Sequence, residues 1–141
     1  MAAAGCRAPT RDLSANPSGS AISQGIANIL LCDDDHDVRR FLSELLKSDG
    51  YTVREASTPE GAFRILEDGA AVDLLIVDYA MPGINGLEII RQAWRKRPSL
   101  KTLLITGDSG AVGDDVAGAP LLRKPFRPAE FSQTVATILA A

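Results

Sequence analysis

Several ingredients are scarce in this chain of 141 residues, and each scarcity removes a class of protein. Only two cysteines occur, Cys6 in a polar N-terminal segment and Cys32 at the end of an apolar run. They form neither a disulfide framework nor a metal site, and a reducing, cytoplasmic setting fits them. His36 is the single histidine and reads as an exposed first-turn residue. Gly107-Asp108-Ser109-Gly110, which spells part of a serine-protease signature, is therefore left without a triad to complete. The spaced glycines Gly107, Gly110 and Gly113 lack the Lys-Ser/Thr pair of a phosphate-binding loop. No apolar run approaches the roughly 20 residues that a bilayer-spanning helix needs. Basic residues are few and scattered: 15 Lys and Arg against 18 Asp and Glu leave a formal charge of −3 and no electrostatic footprint for DNA or RNA. The opening MAAAGC superficially matches a lipoprotein cleavage site, but it has no charged n-region and no apolar stretch before Cys6, so that reading is not expected.

What is present is the composition of one ordinary domain, 45% hydrophobic and 23% charged, long enough to bury a core without staples. Residues 1–25 are rich in Ala, Ser, Gly and Pro without any sustained period, and read as a mobile tail outside the fold. The domain is expected over 26–141. ILLC, Ile29 to Cys32, is a short apolar run of buried-strand character. Asp35 then caps a helix whose Val38, Phe41, Leu42, Leu45 and Leu46 recur every three or four residues until Asp49-Gly50. Tyr51, Val53 and Glu55 alternate as in a second strand, and Thr58-Pro59-Glu60 opens a second helix with apolar Ala62, Phe63, Ile65 and Leu66.

VDLLIVD is a third strand, followed by a helix from about Gly86 that carries Leu87, Ile90, Ala93 and Trp94. LKTLLITG is a fourth strand, and PLLRKPF a fifth that ends at Lys124. The glycine-rich segment between them supports only an abbreviated helix. Pro128 to Leu139 forms the last amphipathic helix. Five strand-then-helix units imply a three-layer α/β fold, a parallel sheet covered on both faces.

The chain is organised around LLIVDYAMPGING, Leu74 to Gly86, where four large aliphatic residues stop abruptly at Asp78. In an open α/β sheet, ligands bind outside the carboxyl ends of the strands. The residues just past the other strand ends are Asp33 and Asp34, Thr106 and Lys124. Three carboxylates, a hydroxyl and an ammonium should therefore converge in one pocket. Crowded carboxylates repel and raise one another's pKa unless a cation sits among them. Oxygen-only ligands suit a hard ion, Mg²⁺ or Mn²⁺. A divalent cation, a lysine and a hydroxyl around one carboxylate make a site suited to accepting a phosphoryl group.

From about Asn28 onward the chain resembles the receiver domain of two-component response regulators, on ILLCDDD, LLIVDYAMPGINGLEII, LLITG and LLRKPF in that order. The resemblance implies a doubly wound, flavodoxin-like sheet of strand order 2-1-3-4-5. It makes Asp78 the phosphoacceptor, with Mg²⁺ or Mn²⁺ held by Asp33, Asp34, Asp78 and the backbone carbonyl of Ala80. Thr106 would bond a phosphoryl oxygen, Lys124 would pair with another, and Pro125 would follow a cis peptide bond. Gly83 to Gly86 would form a tight turn requiring positive φ. Leu121 stands where the family usually has an aromatic switch residue, and Ala80 and Asp108 occupy positions that tend to govern acyl-phosphate lifetime.

The resemblance further implies a protein that catalyses its own phosphorylation and dephosphorylation but is otherwise not an enzyme. Its phosphoryl donor would be a histidine kinase or a histidine phosphotransfer protein, its location cytoplasmic, and its output the binding of another protein, no effector domain following. The receiver of a hybrid histidine kinase is the nearest alternative. An aspartate-nucleophile phosphatase of the haloacid dehalogenase type would need an acid where Ala80 stands. A receiver-like module that is never phosphorylated would not need the full acid set.

Overall fold

The structure is a computed structural model that describes residues 26–107 and 119–141. The tail at 1–25, Cys6, Asp108 and most of the glycine-rich segment, with the short helix expected there, lie outside the described residues. Five strands, β1 (Asn28–Cys32), β2 (Thr52–Ala56), β3 (Leu74–Asp78), β4 (Lys101–Thr106) and β5 (Leu121–Arg123), form one sheet ordered β2-β1-β3-β4-β5. Every neighbouring pair is parallel. This is the doubly wound order that the resemblance implies, and the alternating pattern accounts for a parallel sheet whose central strands are buried on both faces.

Side chains alternate across the sheet, so each strand feeds two cores. Leu30, Cys32, Leu75, Val77 and Leu104 face α2 (Pro59–Glu67) and α3 (Gly86–Lys96), meeting Ala62, Leu66, Ile89, Ile90 and Ala93. Ile29, Leu31, Leu74, Ile76, Leu103 and Ile105 face α1 (His36–Ser48) and α4 (Pro128–Ala140), meeting Leu42, Leu46, Phe131 and Val135. Each large aliphatic side chain fully buried this way contributes about 1.5–3 kcal/mol. The outer strand β2 exposes Arg54 and Glu55, charges that discourage pairing with another sheet edge.

The helix starts follow from local chemistry. The Asp35 carboxylate accepts from the backbone N–H groups of Asp37 and Val38, the Thr58 hydroxyl from Gly61, and the Asn85 side chain from Glu88. Each such cap is worth about 1 kcal/mol. Phe41 shares the apolar spacing of α1 but not its burial: it is 52% exposed. At about 100° per residue Phe41 lies roughly 140° around α1 from Leu46. The buried stripe is centred instead towards Arg39 and Ser43, which turn inward although both are polar. On α3, Ile89 is fully buried, whereas Leu87 and Trp94 pack at the margin. The Trp94 indole N–H donates to the Leu100 carbonyl at 3.0 Å. Among the described residues no helix is long and apolar enough to cross a membrane.

Candidate functional site

All five strands point the same way, so their carboxyl ends share one edge. There Asp33 and Asp34 follow β1, Asp78 closes β3, Thr106 closes β4, and Lys124 follows β5. One carboxylate oxygen from each of Asp33, Asp34 and Asp78 lies within 4.8 Å of the others. Lys124 Nζ is 3.5 Å from Asp78 Oδ2, and the backbone N–H of Ala80 donates to Asp78 Oδ1 at 3.4 Å. Asp78, Ala80, Thr106 and Lys124 line an open cleft of about 520 Å³. Asp33 and Asp34 close the acidic side of this edge without lining the cleft itself.

The chain holds these groups by short backbone links. Tyr79 donates to the Ile105 carbonyl at 2.7 Å, so the residue after the central acid is tied to β4. The Tyr79 carbonyl accepts from Met81 at 3.1 Å and from Gly86 at 2.8 Å, which folds 79–86 back on itself. Gly83 in that loop has φ +89°, a backbone region that favours glycine. Gly86 lacks the positive φ expected of it, and the requirement there is steric. A Cβ at Gly86 would stand 2.5 Å from the Asp78 carbonyl oxygen and 2.8 Å from Leu104 Cδ1. Absence of a side chain lets the first turn of α3 press against the strand end that presents Asp78. On the far side the Lys124 N–H donates to the Thr106 carbonyl at 2.7 Å, and Lys124–Pro125 is cis, as the resemblance implies.

The acids are unequal. Asp33 is buried, 2% exposed, whereas Asp34 is exposed. Burial, reinforced by the charges of Asp78 and Asp34, raises the Asp33 pKa from 3.8 to about 6, against the opposing pull of the Asp35 N–H and Lys124. With three carboxylates and one ammonium, the cluster has an excess of negative charge and only oxygen donors. Those donors fit a hard divalent cation such as Mg²⁺ and offer nothing to a soft one. Cys32, just before Asp33, is pushed up to about 12 by burial and then by Asp33 and Asp34, so its thiol stays neutral. His36 is exposed at the start of α1, as expected.

Asp33, Asp34, Asp78, Ala80, Thr106 and Lys124 are thus all brought to one edge. Leu121 lies half-buried on β5, packed against the α2/α3 side of the sheet. Tyr79 and Asn85 also line the cleft, and Arg39 bonds the Asp33 carbonyl, although none of the three is marked by the strand-end pattern. Asn85 was visible in principle as a capping residue three positions before Glu88. Nothing in the pattern points to Arg39, because it lies on α1 and its partner Glu55, sixteen residues on, lies on β2.

A family model described as "Response regulator receiver domain" matches residues 29–136. The response regulator receiver protein CpdR of Brucella abortus (strain 2308) is 33% identical over 117 residues, 80% of this chain and 97% of that protein. The sensor kinase CckA of the same organism is 32% identical over 120 residues, 82% of this chain but 13% of that protein. Among solved structures, the response regulator TrrA of Thermotoga maritima, in complex with Mg(2+)-BeF, aligns with a TM-score of 0.72 and 30% identity, covering 80% of this chain and 99% of that one.

Proposed function

This chain belongs to the response regulator receiver domain family, and from that premise we propose that it takes a phosphoryl group from a phosphohistidine onto Asp78. The observation that carries this reading is the pairing of Lys124 with Asp78 at 3.5 Å beside two further carboxylates within 4.8 Å. An Asp78 oxygen attacks the phosphorus of the donor's phosphoimidazole, the P–N bond breaks, and its electron pair leaves on the imidazole, which takes up a proton. Phosphoryl transfer needs alignment and charge neutralisation more than acid or base chemistry. Lys124 supplies a cation already placed at the acceptor carboxylate. Thr106 offers a hydroxyl from the end of β4. The Ala80 N–H, 3.4 Å from Asp78 Oδ1, steadies the carboxylate.

Asp33, Asp34, Asp78 and the Ala80 carbonyl would hold Mg²⁺, which when bound supplies positive charge for the transferring phosphoryl oxygens. Hydrolysis by water at the same site returns Asp78 to its starting state, so the protein assists both steps without turning over a diffusible substrate. The donor is a histidine kinase or histidine phosphotransfer protein in the cytoplasm. The added charge shifts the domain between two conformations that a protein partner distinguishes. The likeness to a short segment of CckA keeps a second reading open, in which the domain acts as the receiver of a hybrid kinase.

Incubation with acetyl phosphate and Mg²⁺, followed by intact mass measurement, tests the proposal. The wild type should gain one phosphoryl group, and neither Asp78→Asn nor wild type in EDTA should do so. Absence of an adduct on wild type, or equal labelling of the variant, overturns it. Sustained hydrolysis of a generic phosphate ester would favour the phosphatase class instead.

A further inference from the structure

The side chain of Arg39, on α1, reaches the backbone that carries the acids. The side chain is 14% exposed, and its guanidinium donates from Nη1 to the Asp33 carbonyl at 2.8 Å and from Nε to Glu55 Oε1 at 3.1 Å, with Nη2 3.2 Å from His36 Nδ1. The ladders of β1 end at the pairs Cys32 with Ala56 and Cys32 with Val77. The Asp33 N–H still donates to Ala56 at 3.1 Å, and its Oδ1 accepts from Asp35 at 2.9 Å. Its carbonyl, by contrast, lies past the last strand pair and is held by a side chain. That carbonyl belongs to the peptide plane from which Asp34 departs. Asp34 is exposed, so its direction follows from the orientation of that plane.

On the receiver reading above, we infer that Arg39 is a positioning residue for the metal site: by clamping the Asp33 carbonyl to Glu55 of β2, it fixes the Asp33–Asp34 peptide so that both carboxylates face the same cation. Glu55 neutralises the guanidinium at 3.1 Å, and the contribution is therefore one of geometry. The fork of a guanidinium reaches two acceptors in fixed directions, which an ammonium cannot. Partners that orient metal ligands from behind typically account for 10–100-fold in metal affinity.

The sign of the effect separates this role from others. By Coulomb attraction alone, removing a cation beside three carboxylates strengthens divalent cation binding. A merely structural role lowers the melting temperature and leaves affinity unchanged. Binding of Mn²⁺ to the full chain, read from the free-Mn²⁺ electron paramagnetic resonance signal, tests the inference, with thermal unfolding in EDTA reporting the fold. Arg39→Ala should bind Mn²⁺ about 10–100-fold more weakly while remaining folded. Arg39→Lys, which keeps the charge but reaches one acceptor at a time, should fall between this variant and wild type, and it decides the matter if Arg39→Ala does not fold. Affinity within twofold of wild type, or tighter, in a folded variant overturns the inference and leaves the receiver reading standing. Absence of Mn²⁺ binding by wild type overturns both.

Discussion

Neutralising Asp33 should stabilise the metal-free protein and at the same time destroy its metal site. In the folded chain the Asp33 pKa is about 6 against 3.8 for the free side chain, because the group is buried beside Asp78 and Asp34. A folded-state pKa above the unfolded value means that the folded form holds its proton more tightly. The associated stability is complete below about pH 4 and is lost as pH rises through about 6. A shift of about two units corresponds to about 3 kcal/mol, a large fraction of the 5–15 kcal/mol typical of a domain. Asp33→Asn keeps an oxygen to accept the Asp35 N–H and removes the charge. Urea unfolding in EDTA from pH 5 to pH 8 should show wild type losing stability with rising pH, and Asp33→Asn following a flatter curve, about 3 kcal/mol more stable at pH 8. Mg²⁺ at 100 times its dissociation constant should return about 2.7 kcal/mol to wild type and far less to the variant. Parallel curves for the two proteins across this pH range would refute the reasoning.

Other perturbations probe the parts that position Asp78. Gly86→Ala forces a Cβ to within 2.5 Å of the Asp78 carbonyl, and should cost about 1–3 kcal/mol in urea unfolding while slowing phosphorylation by acetyl phosphate. Full stability with an unchanged rate would mean that α3 can retreat freely. Lys124→Ala removes the cation 3.5 Å from Asp78 Oδ2, and stopped-time mass measurements should show phosphorylation slowed by about 10²-fold or more with the fold intact by circular dichroism. Phe131→Ala empties a fully buried position stacked on Phe126 at 5.7 Å. It should cost about 3–5 kcal/mol, read by urea unfolding.

Much of this fold is legible in the sequence because it rests on period and punctuation. The apolar runs ending at Cys32, Asp78 and Thr106 are strands buried on both faces, and Asp35 and Thr58 announce helix starts through their own side-chain bonds. The site is legible for a related reason: parallel strands bring their ends together, so residues far apart in the chain can be grouped by position alone. The failures are equally physical. The exposure of Phe41 is not legible, because apolar spacing defines a stripe but not its centre, and Arg39 and Ser43 turn that centre away from it. The steric role of Gly86 is hidden, since a close approach between a helix and the Asp78 carbonyl leaves no local mark distinct from a turn. The contrast between buried Asp33 and exposed Asp34 depends on how β1 leaves the sheet, and adjacent identical letters carry no trace of it.

The most direct test of the central claim is to locate the phosphoryl group. After incubation with acetyl phosphate and Mg²⁺, borohydride reduction converts an aspartyl phosphate to homoserine, and peptide mass spectrometry then reads its position. Homoserine at residue 78, with Asp33 and Asp34 intact, is the predicted result. Homoserine at 33 or 34, or none at all from a protein that binds Mn²⁺, would contradict the assignment of Asp78 as the acceptor.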